Sequence, residues 1–300
     1  MGRRTTRVRV RRIRDGGVSD RPDTLAVEEP LEIQVGGVTV TTTMRTPGAD
    51  MDLVRGFLLS EGIIAHRDDI AEIRYCDGVD ASGANTYNLV DVTWTPGRER
   101  PVRPRTTTTT SACGVCGTAS IDALSTTATY AVGGDETTLT PAAVSAMADQ
   151  MRNAQNDFAR TGGTHGAALF DLAGTLLAVR EDVGRHNAVD KVLGWALGQD
   201  RVPLRATVMM VSSRASFELV QKCAVAGVPI MAAVSAPSSL AVQAGETLGV
   251  TVVGFLRGAS MNVYSHHHRI DVSAQSGSPG GAMSPEPPRM AGSGTDSPRT

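Results

Sequence analysis

The sequence predicts an α/β protein in which a mixed sheet lies between helix layers, preceded by a smaller N-terminal α+β block. Three observations carry that expectation. Between residues 187 and 255 helical and strand patterns alternate strictly, and with short connectors such an order requires crossover connections and parallel strands. Two adjacent strand patterns, Gly166 to Asp171 and Thr175 to Val179, precede the alternation and meet at Ala173-Gly174, adding an antiparallel pair to that sheet. Near the N-terminus, Gly36-Gly37 separates two segments of period-two alternation, the signature of a β-hairpin.

Taken in order, residues 1–22 read as a basic flexible arm with at most a short strand at Val8 to Ile13. An α+β block follows over residues 23–105. Leu31 to Val35 and Val38 to Thr41 are the two hairpin strands. A helix starts at Asp50 and ends near Gly62, its apolar Leu53, Val54, Phe57 and Leu58 recurring at helical spacing. Ile70 to Tyr75 and Tyr87 to Thr95 supply two more strands. Pro96 to Thr110, with three prolines and five consecutive threonines, is extended, and residues 106–139 form a connector holding Cys113-Gly114-Val115-Cys116. The second domain, residues 140–272, opens with a helix from Pro141 to about Arg160, N-capped by Thr140 and carrying proline at its first position. After the adjacent strands come helix Asn187 to Leu197, strand Thr207 to Val211, helix Ser216 to Ala226, strand Ile230 to Val234, helix Ser239 to Leu248 and strand Val250 to Phe255. The 28 residues from Ser273 hold five glycines, five prolines and six serines, a composition that cannot bury enough apolar surface to order itself.

Composition narrows the function classes. The chain of 300 residues is 41% hydrophobic and 20% charged, and no apolar run approaches the roughly 18 residues of a membrane helix, so no membrane span is expected. Of 29 basic side chains, seven arginines precede the first carboxylate, Asp15, leaving the remainder at −9. A body that acidic argues against a surface tracking the phosphates of DNA or RNA. Four cysteines (Cys76, Cys113, Cys116 and Cys223) are too few for a disulfide scaffold, and the Arg-rich start is not followed by an apolar segment. The expectation is a cytoplasmic protein with reduced thiols. Cys223, beside Leu219 and Val220 on a helix, reads as core, and Cys76 at a strand end as structural.

The chemistry concentrates in a few segments. Two thiols three positions apart, Cys113 and Cys116, can face one target, exchange with each other or share a metal. A zinc site needs about four ligands; no second cysteine pair exists, and only the run His266-His267-His268 offers candidates to complete one, so no metal is assigned. A thioredoxin-type motif belongs between a strand and a helix, whereas this pair follows a polar threonine run. The flanking Gly114 and Gly117 instead give backbone freedom and little steric cover, suiting a thiolate that hands sulfur from one protein to another. Three strand-to-helix segments, Arg180 to Asn187, Ser212 to Ser216 and Ser235 to Ser239, are polar or cationic. In a parallel sheet such loops gather at one edge, where helix N-termini and arginines favour phosphates. Neither a P-loop nor a dinucleotide fingerprint is present, which excludes the usual ATPase and Rossmann sites.

Six segments together resemble one family: Gly56 to Gly62, Cys113 to Gly117, Gly163 to Ala167, Arg180 to Lys191, Ser212 to Gln221, and Ser235 to Leu240 are similar to the formate dehydrogenase accessory sulfurtransferases, the FdhD family, over most of residues 24–270. The resemblance implies a cytidine-deaminase-like three-layer fold, although the zinc signature of true deaminases is absent. It implies a sulfur carrier that receives sulfane sulfur from a cysteine desulfurase as a persulfide. The sulfur is passed to the molybdenum (or tungsten) bis(molybdopterin guanine dinucleotide) cofactor of formate dehydrogenase, and the carrier is expected to be a homodimer. Cys113 is then the expected persulfide carrier with Cys116 as its helper. The family's cofactor surface falls on Phe255, Leu256, Arg257, Gly258, Ala259 and Ser260. Arg185, His186, Arg214 and Ser216 are the expected phosphate and base contacts, with His165 and His186 candidates for proton transfer. A protein that holds the cofactor or the apo-dehydrogenase without moving sulfur is the competing class.

Overall fold

A computed structural model describes residues 3–76, 78, 86–102, 130 and 132–273. Where the sequence reads as an arm over residues 1–22, the described chain forms instead an antiparallel ribbon, β1 (Thr5–Arg14) and β2 (Gly17–Ala26), in unbroken register from Thr5 opposite Ala26 to Arg14 opposite Gly17. The correction has a local cause. Arg7, Arg9 and Arg11 alternate with Val8 and Val10, and Asp15-Gly16, both at positive φ (51° and 78°), is the two-residue turn that matches strand twist. The ribbon's base is tied down where the Val27 N–H donates to the Arg4 carbonyl and Arg4 pairs with Asp157.

A four-stranded sheet follows in the order β4-β3-β6-β5, from β3 (Glu29–Val35), β4 (Val38–Arg45), β5 (Ile70–Tyr75) and β6 (Leu89–Trp94). Its β3–β4 hairpin turns at Gly36-Gly37, both at positive φ as that tight turn requires. Helix α1 (Asp50–Ser60) joins this sheet to the second half of the chain. The helix expected from Pro141 to Arg160 is broken in two, α2 (Pro141–Ala154) and α3 (Asn156–Thr161), because Gln155 at φ −80°, ψ 77° leaves the helical region. Glu181 then caps α3, its carboxylate accepting from the N–H groups of Asp157 (2.8 Å) and Phe158 (2.7 Å).

The second sheet has six strands, β7 (His165–Asp171), β8 (Leu176–Asp182), β9 (Thr207–Val211), β10 (Ile230–Ala233), β11 (Thr251–Arg257) and β12 (Ser260–Val263), in the order β12-β11-β10-β9-β7-β8. Strands β9, β10 and β11 are parallel, while β7 runs antiparallel to both its neighbours and β12 antiparallel to β11. Helices α4 (Arg185–Gly198), α5 (Phe217–Ala226) and α6 (Ser239–Leu248) supply the crossovers. The mixed sheet between helix layers is thus as the alternation predicts. Along β9, Met209 and Val211 enter the core shared with α4, α5 and the four-stranded sheet, whereas Val208 and Met210 face Val144, Met147 and Met151 of α2. The first of those cores also takes in Leu31, Ile33 and Val90, so the N-terminal block and the α/β half bury one continuous cluster.

Helices α1 and α4 cross almost backbone to backbone. A Cβ on Gly56 would lie 1.8 Å from the Asp190 carbonyl oxygen, and one on Gly194 equally close to that of Asp52. The only two lysines of the chain are buried in ion pairs around this crossing. Lys222 reaches both Asp190 carboxylate oxygens (2.7 and 2.9 Å), to which Ser60 also donates, and Lys191 reaches Asp182 at 2.7 Å. No helix among the described residues is long and apolar enough to cross a membrane.

Candidate functional site

Strands β8, β9, β10 and β11 all end at the edge of the six-stranded sheet where β7 begins, so the three strand-to-helix loops singled out by sequence meet there. In the first, the buried Asp182 carboxylate accepts from the N–H groups of Gly184 (2.8 Å) and Thr46 (3.1 Å), from Asn187 Nδ2 (3.2 Å) and from Lys191 Nζ. Lys191 also donates to the Thr46 carbonyl (2.8 Å), and the Val183 N–H donates to Thr46 Oγ1. These bonds fix the turn that sets Arg185 and His186 at the start of α4.

In the second loop Ser212 pairs with Gly166 of β7, its N–H donating to the Gly166 carbonyl and its Oγ accepting the Gly166 N–H (2.9 Å). The second and third loops are laced by a short parallel bridge, with Ala215 N–H donating to Ala236 O and Ser238 N–H to Ala215 O. His186 Nε2 lies 2.7 Å from a Glu218 carboxylate oxygen and 3.5 Å from Ser216 Oγ, joining the first loop to the second. Of the sequence-derived candidates, Arg185, His186, Arg214 and Ser216 therefore form one cluster.

The electrostatics of that cluster favour an anion. Burial first, and then the positive charge of Arg214, pull Arg185 below its ordinary pKa, with Glu218 opposing them. Burial works to raise the Glu218 carboxyl, but the hydrogen bond and charge of His186, with Lys222 and Arg185, outweigh it and hold Glu218 below the usual range. His165 is depressed by burial first and then by Arg185, so its imidazole is neutral at physiological pH. Helices α4 and α5 start at Gly184 and Ser216 without a side-chain cap, leaving first-turn N–H groups for a ligand. Helix α6 differs: Ser238 Oγ already accepts from the Ala241 N–H.

On the α2 side of the sheet the same edge opens into a cavity of about 440 Å³, walled by Met151, Val234 and Leu256 and flanked by His165 and Ser212. The segment Phe255 to Ser260 borders it unevenly. A register shift between Gly254 and Arg257 turns Leu256 inward and leaves Phe255, at φ 53°, exposed. Leu256 and Gly258 line the cavity, and Ser145 of α2 donates to the Gly258 carbonyl. Arg257, Ala259 and Ser260 are exposed on the turn into β12, a strand the sequence reading did not foresee. Glu218 and Gln155 also escaped it. Glu218 lies within the Ser212 to Gln221 segment but has no role assigned there, and Gln155 sits in no motif, at the break between α2 and α3. Cys113 and Cys116 lie outside the described residues. Cys223 is fully buried, its thiol pushed up to about 12 by desolvation, so it is inert, while Cys76 is half-buried. Among the described residues no cluster of His, Cys, Asp and Glu has the makings of a metal site.

Comparison with known proteins yields a coherent set. The FdhD/NarQ family model matches residues 26–271. The "Sulfur carrier protein FdhD" of Mycobacterium tuberculosis is 56% identical over 276 residues, covering 90% of this chain and all of that protein. The protein of the same description from Streptomyces avermitilis is 54% identical over 279 residues, covering 91% of this chain and 98% of its own. The crystal structure of a Desulfotalea psychrophila protein described as a formate dehydrogenase accessory protein superposes with a TM-score of 0.70 at 24% identity, covering 89% of this chain and 99% of that one.

Proposed function

The chain belongs to the FdhD/NarQ family, and from that premise we propose that it is a sulfur carrier serving formate dehydrogenase. It takes sulfane sulfur from a cysteine desulfurase on the Cys113/Cys116 loop and passes it to the molybdenum bis(molybdopterin guanine dinucleotide) cofactor as its substrate. The observation that carries the substrate half of this reading is the pair Arg185 and Arg214 beside two uncapped helix starts at one sheet edge. Phosphates are the anions such an arrangement takes, and a guanine dinucleotide carries them as pyrophosphates.

Loading is a thiol exchange in which the Cys113 thiolate attacks the outer sulfur of the desulfurase persulfide. A new S–S bond forms on Cys113, the donor S–S bond breaks, and the desulfurase leaves as its own thiolate. Delivery as sulfide needs two electrons. The Cys116 thiolate supplies them by attacking the Cys113 sulfur of the persulfide, so that a Cys113–Cys116 disulfide forms and hydrosulfide departs toward the substrate. The sheet edge contributes binding and orientation through Arg185, Arg214 and the helix N–H groups, and His165 stands there neutral, able to accept a proton.

Because Arg185, Arg214 and the helix N–H groups at the edge serve binding in either case, a cofactor-holding protein that moves no sulfur is the reading to set against this one. Intact mass after incubation with a cysteine desulfurase and cysteine separates them. The sulfur carrier gains about one sulfur, labile to reductant and absent from Cys113→Ala. No adduct on the wild type or on Cys116→Ala, with guanine nucleotide still bound, overturns the transfer and leaves the holding role.

A further inference from the structure

Gln155 is the residue at which the helix expected from sequence breaks, and the break has a product. At that break its side chain is only 2% exposed and lines the 440 Å³ cavity. Its Nε2 has no hydrogen-bond partner among the described residues. Buried donors are paired as a rule, so this one is provided for an acceptor that arrives with a ligand. The space it occupies is made for it: Gly166 lies directly beneath, where a Cβ would come within 2.5 Å of Nε2. Around it, Met151, Val234 and Leu256 give apolar walls suited to the faces of a flat ring. The volume lies in the range of small-ligand sites, fitting one ring-and-sugar unit rather than a whole dinucleotide. His165 and Ser212 line this cavity and also stand at the sheet edge, His165 within the electrostatic reach of Arg185, so the cavity adjoins the anion-facing edge.

We propose that Gln155 reads the base of the bound nucleotide, its Nε2 donating to the ring carbonyl of guanine at the position where adenine carries an amino donor. The inference rests on the substrate reading above and deepens it by naming a specificity-determining residue and the group it recognises. The full-length protein is titrated calorimetrically with GDP, IDP and ADP, for the wild type, Gln155→Leu and Gln155→Glu, with a thermal melt of each variant to check folding. The wild type is expected to bind GDP and IDP alike, both about tenfold more tightly than ADP. Gln155→Leu is expected to lose that preference while keeping its affinity for ADP, which also shows that the variant folds. Gln155→Glu, replacing the donor by an acceptor of the same shape, is expected to favour ADP over GDP. A GDP-to-ADP ratio unchanged in both variants overturns the role of Gln155 and leaves the substrate reading standing. IDP behaving like ADP overturns it too, since recognition would then fall on the 2-amino group. If the wild type binds none of the three, the substrate reading falls first and this inference with it.

Discussion

Replacing Lys191 by methionine tests whether the buried pair Asp182–Lys191 is what holds the anion-facing loop in place. Both side chains are essentially inaccessible, and Lys191 Nζ sits 2.7 Å from the Asp182 carboxylate and 2.8 Å from the Thr46 carbonyl. Methionine fills a similar volume, so little cavity forms. What is lost is the partner of a buried carboxylate, which costs about 3–5 kcal/mol. Three N–H donors, from Gly184, Asn187 and Thr46, remain on Asp182 and place the expected loss at the lower end, about 3–4 kcal/mol. At about 2–4 °C per kcal/mol for a chain of this size, the melting temperature should fall by roughly 6–16 °C. Urea unfolding followed by circular dichroism measures the free energy directly. Lys222→Met is the comparison, because it breaks a comparable buried pair with Asp190 and reaches the cluster only through the charge it exerts on Glu218. Both variants should lose stability, but only Lys191→Met should also weaken GDP binding strongly. Removing both partners, as Asp182→Asn with Lys191→Met, should cost less than the sum of the single changes. A loss under about 1 kcal/mol for Lys191→Met, or equal loss of GDP affinity in the two lysine variants, would refute the view that this pair organises the loop.

Two further outcomes follow from the titratable groups. His165 is held below its ordinary 6.5 by burial and by Arg185, so its contribution to stability is complete above that value and is lost as pH falls through the folded-state pKa. The melting temperature of the wild type should therefore decline more steeply below pH 6.5 than that of His165→Gln, and parallel curves would show that the imidazole is not a buried neutral group. Cys223, with its thiol pushed up to about 12, should escape iodoacetamide at pH 8 in the native protein and react only after unfolding; peptide mass mapping that finds it alkylated in the native state contradicts its burial.

Much of the framework is legible in the sequence because it is written in local rules. Period-two alternation around Gly36-Gly37 specifies the β3–β4 hairpin, and Thr140-Pro141 marks the start of α2. The order of strands and helices after residue 187 specifies parallel strands, which in turn gathers the loops bearing Arg185 and Arg214 at one edge. The same rules operate at the N-terminus, where a high arginine content masks the alternation and the Asp15-Gly16 turn of the β1–β2 ribbon. Charge is a property of composition, whereas pairing depends on period.

By itself, then, the sequence determined the elements, their order and the segments that bear chemistry, since each depends on neighbours a few residues away. Tertiary structure alone decided the rest. Gln155 becomes a cavity residue only because Gly166 of another element leaves it room. Glu218 joins His186 across 32 residues of chain because α4 and α5 start side by side. Lys222, an ordinary surface residue by type, is buried where α1 and α4 approach at Gly56 and enclose its partner Asp190, and Lys191 where the end of β8 brings Asp182 against Thr46. Burial and pairing depend on which side chains share a small volume, and that is fixed when distant segments pack together, not when each adopts its local form.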